Sequence, residues 1–171
     1  MSENFLNISY VIIGSKERLS RVKSYQIEKG AECLLCPFQS LQELPSILDS
    51  KIADLDSSVI SLIPAGAFPR KAAREQLIHF SRSEYQFWGW YHFGNKFKGA
   101  SQRIRKLNTF LNKVPQLEQG IFFSKLLYFS VGGLGDSGEN PFAELAKRFY
   151  LRLDPQKPLP SLTIRAKSLL D

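Results

Sequence analysis

No stretch of this 171-residue chain is apolar for long enough to cross a bilayer, which takes ~20 consecutive apolar residues. The first apolar run, in "MSENFLNISYVIIGSKER", closes on Gly14-Ser15 and then turns charged, so it reads as neither a signal peptide nor a span, and the expectation is a cytoplasmic protein. Cysteine is nearly absent: Cys33 and Cys36, in "ECLLCP", are the only two. Zinc would need a second such pair or two nearby histidines, and His79 and His92 do not repeat the spacing. In a strand, residues three apart point to opposite faces, so the pair reads as small core residues in a reducing compartment. The two histidines have no Ser, Cys or carboxylate at a recognisable catalytic spacing; they suggest no hydrolytic triad and read as structural. "GGLGDSG" lacks the Gly-Lys-Ser ending that sets a lysine on phosphates, which argues against a phosphate loop. Its glycines more simply end one helix and turn the chain into the next. There is neither an internal repeat nor a low-complexity segment.

Core-forming material is plentiful. Apolar residues make up 43% of the chain and aromatics 12%, with 13 Phe, which argues for a globular protein and against disorder. The length suits one domain spanning residues 1–171. Twenty-three Lys and Arg against 16 Asp and Glu leave a charge of +7, a field that attracts phosphates, nucleic acid or an anionic membrane surface, or simply keeps the protein soluble.

The first half alternates strand and helix signals. "ISYVII" is a β-branched run, and Ser15 can cap a helix through "KERLSRVKSYQIEK" that Gly30 would end. "AECLLC" reads as a buried strand stopped by Pro37. "SLQELPSILDSKIADL" has helical apolar spacing at Leu41, Leu44, Leu48 and Ile52, with Pro45 in a first turn. "SSVISLI" is a third strand, closed by "PAGAFP". Such alternation implies right-handed crossovers and a parallel sheet with helices on its faces. From Pro69 the signals become mixed: a helix in "RKAAREQLIHFSR", an aromatic strand or hairpin arm in "SEYQFWGWYHFGNKF", a helix in "SQRIRKLNTFLNKV", a strand in "GIFF", helices in "SKLLYFSVG" and "PFAELAKRFYLRL", and a last strand in "LTIRAKSLL".

Three segments in this order carry a resemblance: "GAECLLCP" (30–37), "WGWYHFGNKF" (88–97) and, best of all, "EQGIFFSKLLYFSVGGL" (118–134). The chain resembles family 2 glycosyltransferases of the GT-A type, in the small bacterial branch with a histidine-alanine-aspartate motif, a tryptophan-glycine-x-phenylalanine strand, an aspartate-glutamine-glycine-isoleucine-phenylalanine motif, a double-glycine turn and a glutamate-aspartate pair. The match runs over nearly the whole chain, mostly through hydrophobic and glycine positions. It implies an α/β, GT-A-like three-layer sandwich (the nucleotide-diphospho-sugar transferase fold) with a mainly parallel sheet. The family's first strand, which grips the nucleotide base, has no counterpart, because "ISYVII" already matches the second.

In such enzymes, the resemblance implies, a sugar nucleotide lies across the carboxyl ends of the parallel strands, a divalent cation steadies the diphosphate, and a carboxylate takes the acceptor's proton. This sequence departs at each point. Ser15 stands where an aspartate would meet the nucleotide. Pro64, Ala65 and Gly66 stand at the metal motif, and no carboxylate occurs between Asp56 and Glu75, so no divalent-cation cofactor is expected. The catalytic pair falls on Pro141 and Phe142, with the next acid at Glu144, or, after a two-residue deletion, on Glu139 and Asn140.

The resulting expectation is a catalytically inactive or impaired glycosyltransferase-like domain acting as a binding or assembly partner, as a pseudoenzyme would. A sheet short of one strand leaves an edge or cleft that a homodimer or partner protein would cover. The first alternative is a metal-independent nucleotide-sugar transferase, with Glu118 or Glu139 as base and Gln119, Trp88 and Arg165 as ligand-binding groups. The second is a basic nucleic-acid or anionic-membrane module that sets Lys96, Lys98, Arg103, Arg105, Lys106 and Lys113 beside Trp88, Trp90, Tyr91 and Phe93.

Overall fold

Seven strands and five helices make up the regular structure of residues 8–22, 24–92, 115–116, 119–135 and 140–164, which the computed structural model describes. In chain order they are β1 (Ile8–Gly14), α1 (Lys16–Ser20), β2 (Ala31–Pro37), α2 (Leu44–Ala53), β3 (Val59–Pro64), β4 (Ala67–Phe68), α3 (Lys71–Ser81), β5 (Trp88–Trp90), β6 (Ile121–Ser124), α4 (Lys125–Ser130), α5 (Pro141–Tyr150) and β7 (Thr163–Ile164). The main sheet has the order β2-β1-β3-β6-β5, and β4 pairs with β7 in a separate two-stranded ladder.

β1 is the strand around which the fold is organised, because all seven of its residues are buried and it is paired on both sides. Alternation sends Ile8, Tyr10 and Ile12 to one face, where they join Val59 and Ile63 of β3 and Phe122 of β6. That face is covered by Leu19 of α1, by Ala73 and Leu77 of α3, and by Leu159 and Leu162 near the chain's end. Val11, Ile13, Ile60, Leu62, Ile121 and Phe123 point the other way. They meet Leu44, Leu48 and Ile52 of α2, Leu127 and Tyr128 of α4, and Phe142, Leu145 and Phe149 of α5. The protein is thus an α/β sandwich of three layers, and α2 buries Leu44, Leu48 and Ile52 of the stripe that its apolar spacing predicts.

The sheet departs from the mainly parallel arrangement expected. β1 is parallel to β2 and β3, but β6 runs antiparallel to β3, and β5 antiparallel to β6, so the sheet is mixed. A short segment such as "GIFF" can run along its neighbour in either sense, and its sequence does not fix which. β1 and β3 are hydrogen-bonded neighbours from Ile8↔Val59 to Ile13↔Pro64, which leaves no gap between them for a missing strand. β2 is an edge strand, mostly half-buried with Leu35 exposed, rather than the buried strand read from "AECLLC".

α1 is also shorter than predicted. Ser15 Oγ accepts from Arg18 N at 3.3 Å, as its sequence position suggests, but the helix stops after one turn. The chain beyond it is pulled onto the sheet instead: the Tyr25 ring stacks on Phe68 at 4.1 Å, and Glu28 pairs with Arg74 at 2.5 Å and accepts from Tyr10 Oη at 3.3 Å. Tertiary packing here outweighs a helical propensity worth only tenths of a kcal/mol per residue, about 0.7 at most. Among the described residues no helix is long and apolar enough to cross a membrane.

Candidate functional site

Of the positions matched to the transferase motifs, Ser15 and Pro64, Ala65 and Gly66 lie where β1 and β3 end, and the two strand ends are in direct contact. A Cβ on Gly14 would stand 2.8 Å from the Ala65 Cβ and 3.6 Å from Leu19 Cγ, so the backbone of β1 touches the next loop directly. Ala65 N donates to Ile13 O at 2.8 Å, and Phe38 N donates to Gly14 O at 3.1 Å. Leu19, Ala65, Ala67 and Phe68 are all at most 4% exposed. Tyr25 lies flat on Phe68, while the Arg74 guanidinium stands 5.8 Å from the same ring and donates to Pro69 O at 2.9 Å. Gly66, with φ of +84°, makes the tight turn that folds Ala65 inward. A hard cation needs several oxygen ligands, and Pro64, Ala65 and Gly66 offer no side-chain oxygen, so the residues at the matched motif do not fit a divalent ion. Among the described residues no three His, Cys, Asp or Glu side chains are grouped to hold a metal.

The double-glycine turn has a structural partner that the sequence did not reveal. Asp49, on α2, accepts from Tyr128 Oη and, at 3.1 Å, from Leu134 N. Burial, and after it the carboxylate, push the Tyr128 phenol far above its ordinary pKa, so it stays a hydrogen-bond donor. Arg148 of α5 donates to Val131 O at 3.3 Å and to Leu134 O, and so ties the same turn to the following helix. Pro141 and Phe142 begin α5 and are buried; Phe142 belongs to the core, and Asn140 caps the helix by accepting from Ala143 N at 3.2 Å. Glu144 pairs with Lys147 on the surface of that helix.

Gln119 and Trp88 are also inside. Gln119, 2% exposed, accepts from Gln116 N at 2.9 Å and donates to Tyr91 O at 3.0 Å. Trp88 is fully buried and donates to Leu153 O at 2.8 Å. Trp90 and Tyr91 are buried beside it, and Tyr91 Oη bonds Ser61 Oγ at 2.6 Å, so these three aromatics offer no open face for a base to stack on. Glu118, Glu139, Arg165, Phe93 and the cations Lys96, Lys98, Arg103, Arg105, Lys106 and Lys113 lie outside the described residues. His79 and His92 are both exposed.

Cys33 and Cys36 are free thiols that pack toward opposite faces of β2. Burial pushes Cys36 up to about 11 and raises Cys33 as well, so at pH 8 both are protonated. Iodoacetamide at pH 8 should therefore modify Cys36 in the folded protein at least about a hundredfold more slowly than in urea. Rapid labelling of the folded protein, read by mass spectrometry, would contradict this placement.

A cavity of about 460 Å³ opens at the opposite end of the sheet, where β3 and β5 begin and β6 finishes. Backbone hydrogen bonds frame it: Ser124 N donates to Phe87 O at 2.9 Å and Lys125 N to Ser58 O at 2.8 Å. Lys125 Nζ caps the end of α2 by donating to Ala53 O at 2.9 Å and to Leu55 O, which commits its charge to carbonyls at a helix C-terminus. Phe80, Phe87 and Phe129 wall the space, and the carboxylates of Asp56 and Glu84 line it too. Ser57 is satisfied through Glu32 Oε1 at 2.9 Å, whereas Ser124 Oγ is buried with no hydrogen-bond partner among the described residues. Such an orphan costs about 1–3 kcal/mol.

The cavity escaped the sequence reading, although a signal for it was present. In "KLLYF", Leu127 and Tyr128 supply the buried stripe of α4, yet Leu126 and Phe129, three apart, are also apolar and are 68% and 41% exposed. A short helix that is apolar on two faces is covering more than its own core. No protein-family model matches the chain, and no curated protein matches it.

Proposed function

We propose that this protein is a GT-A-like, glycosyltransferase-related domain that does not carry out sugar transfer and serves as a binding or assembly partner. The observation that carries the reading is the contact of Gly14 with Ala65 at the ends of β1 and β3. In an open α/β sheet a ligand sits outside those strand ends. Here the backbone of one strand meets the loop of the next, and Leu19, Phe68 and Tyr25 occupy the surrounding volume. The three-layer architecture and the spacing of "EQGIFFSKLLYFSVGGL" support the relation to family 2 transferases. The residues at the metal and base positions support the loss of chemistry, since Ala65 cannot take up leaving-group charge, and neither Phe142 nor, in the alternative alignment with Glu139 retained, Asn140 can take a proton.

Thermal denaturation with UDP-glucose, with and without Mn²⁺, tests the reading directly. Binding to the folded state at 100-fold excess over Kd would add ~2.7 kcal/mol of stability and raise the melting temperature by several degrees. The expected result is no saturable rise at millimolar ligand; a saturable, Mn²⁺-dependent rise would overturn it.

A further inference from the structure

We propose that the cavity at the starting end of β3 and β5 is a binding site for an organic cation with an aromatic body, such as an arylalkylamine. The cavity lies at the end of the sheet remote from Gly14 and Ala65, so this site does not depend on the relation to glycosyltransferases.

Size, wall chemistry and charge point to the same class of ligand. A volume of about 460 Å³ lies within the range of small-molecule pockets, about 300–1,000 Å³. The walls contributed by Phe80, Phe87 and Phe129 are aromatic, and Phe80 and Phe87 already stack on one another at 4.9 Å, which leaves a continuous ring surface. Aromatic faces attract cations as well as other rings. Three charged side chains line the space, and they are not equivalent. The Lys125 ammonium is held by the carbonyls of Ala53 and Leu55, while among the described residues neither Asp56 nor Glu84 has a cationic partner. The uncommitted charge of the site is therefore negative, although the chain as a whole carries +7. An anionic ligand drawn by the overall field would meet two carboxylates here, whereas an amine is paired by them.

The test uses three soluble probes of one shape and different charge: tryptamine, indole and indole-3-propionate. Each is titrated into the 171-residue protein at low salt, followed by calorimetry and by ¹H–¹⁵N NMR. Tryptamine should bind with about tenfold or greater preference over indole-3-propionate and shift the resonances of Ser124, Lys125 and Phe87. The double substitution Asp56→Asn, Glu84→Gln, at exposed positions, should weaken tryptamine about fivefold and leave indole nearly unchanged. Leu126→Arg, also exposed, should weaken tryptamine most and narrow its preference over indole-3-propionate, with an unaltered melting temperature showing that the fold persists. Equal or tighter binding of indole-3-propionate would overturn the charge assignment. Tryptamine binding that leaves the Ser124 and Phe87 resonances unmoved would overturn the site.

Discussion

Trp88→Ala is expected to destabilise the protein by about 3–5 kcal/mol, the range for emptying a buried aromatic site, and to lower the melting temperature by about 10 °C. Trp88 is fully buried at the start of β5, with its ring 5.8 Å from that of Trp90, 5.4 Å from Phe149 and edge-on to Tyr150 at 4.7 Å. Alanine removes all three ring contacts and leaves Leu153 O without its donor. Trp88→Phe separates the two effects. It keeps most of the apolar volume and loses the N–H, so it should cost about 1–3 kcal/mol, the penalty for a carbonyl left unpaired. Thermal and urea denaturation of the three proteins gives the ordering directly. A Trp88→Ala protein as stable as the parent would mean that the ring is not in the core, and would return it to consideration as a ligand-facing group.

Gly133→Ala should cost about 3 kcal/mol, while Gly132→Ala, one residue earlier, should cost only about 1–2 kcal/mol. Both glycines adopt left-handed backbone, with φ of +69° at Gly133 and +81° at Gly132, and a side chain there carries about 1–2 kcal/mol of strain in either case. Their surroundings differ. A Cβ on Gly132 would meet nothing within 4 Å, whereas one on Gly133 would stand 2.5 Å from Asp49 Oδ1 and 2.8 Å from the carboxyl carbon. Alanine at 133 therefore drives the carboxylate off Tyr128 and Leu134, and hydrogen bonds to a charged group contribute about 1.5–3 kcal/mol. A double-mutant cycle with Asp49→Ala sharpens the test, because the two changes disrupt the same contact and should add to less than their sum. Full additivity would show that Asp49 is not what Gly133 accommodates.

Much of the architecture was legible in the sequence wherever a local rule decided it. The β-branched runs became β1 and β3, Pro45 and Pro141 took first-turn positions, and Leu44, Leu48 and Ile52 formed the buried stripe of α2. What the sequence left unread was set by partners distant along the chain. The segment after Ser20 has helical spacing, but Phe68 and Arg74, more than forty residues away, hold Tyr25 and Glu28 in a different path. The direction of β6 was set by its neighbour rather than by its own four residues. At the end of the sheet with recognisable motifs, Ala65 and Leu19 pack against Gly14, and Phe68 is buried near them. The end with a cavity is built from Ser124, Phe80 and Phe129, which match no motif and meet only in three dimensions.

The stretch from Leu153 to Ile164 returns to elements made much earlier. Gln156 N and Leu159 N donate to the outer edge of β5 at Trp88 and Trp90, and Thr163–Ile164 completes the ladder of β4. The Trp88 indole is held by a carbonyl 65 residues further along. Along the chain, β4 and β5 come long before the segment that pairs with Phe68 and Tyr91. These pairings close long loops, so they belong to the slow, long-range contacts whose loop entropy must be met before they stabilise the fold.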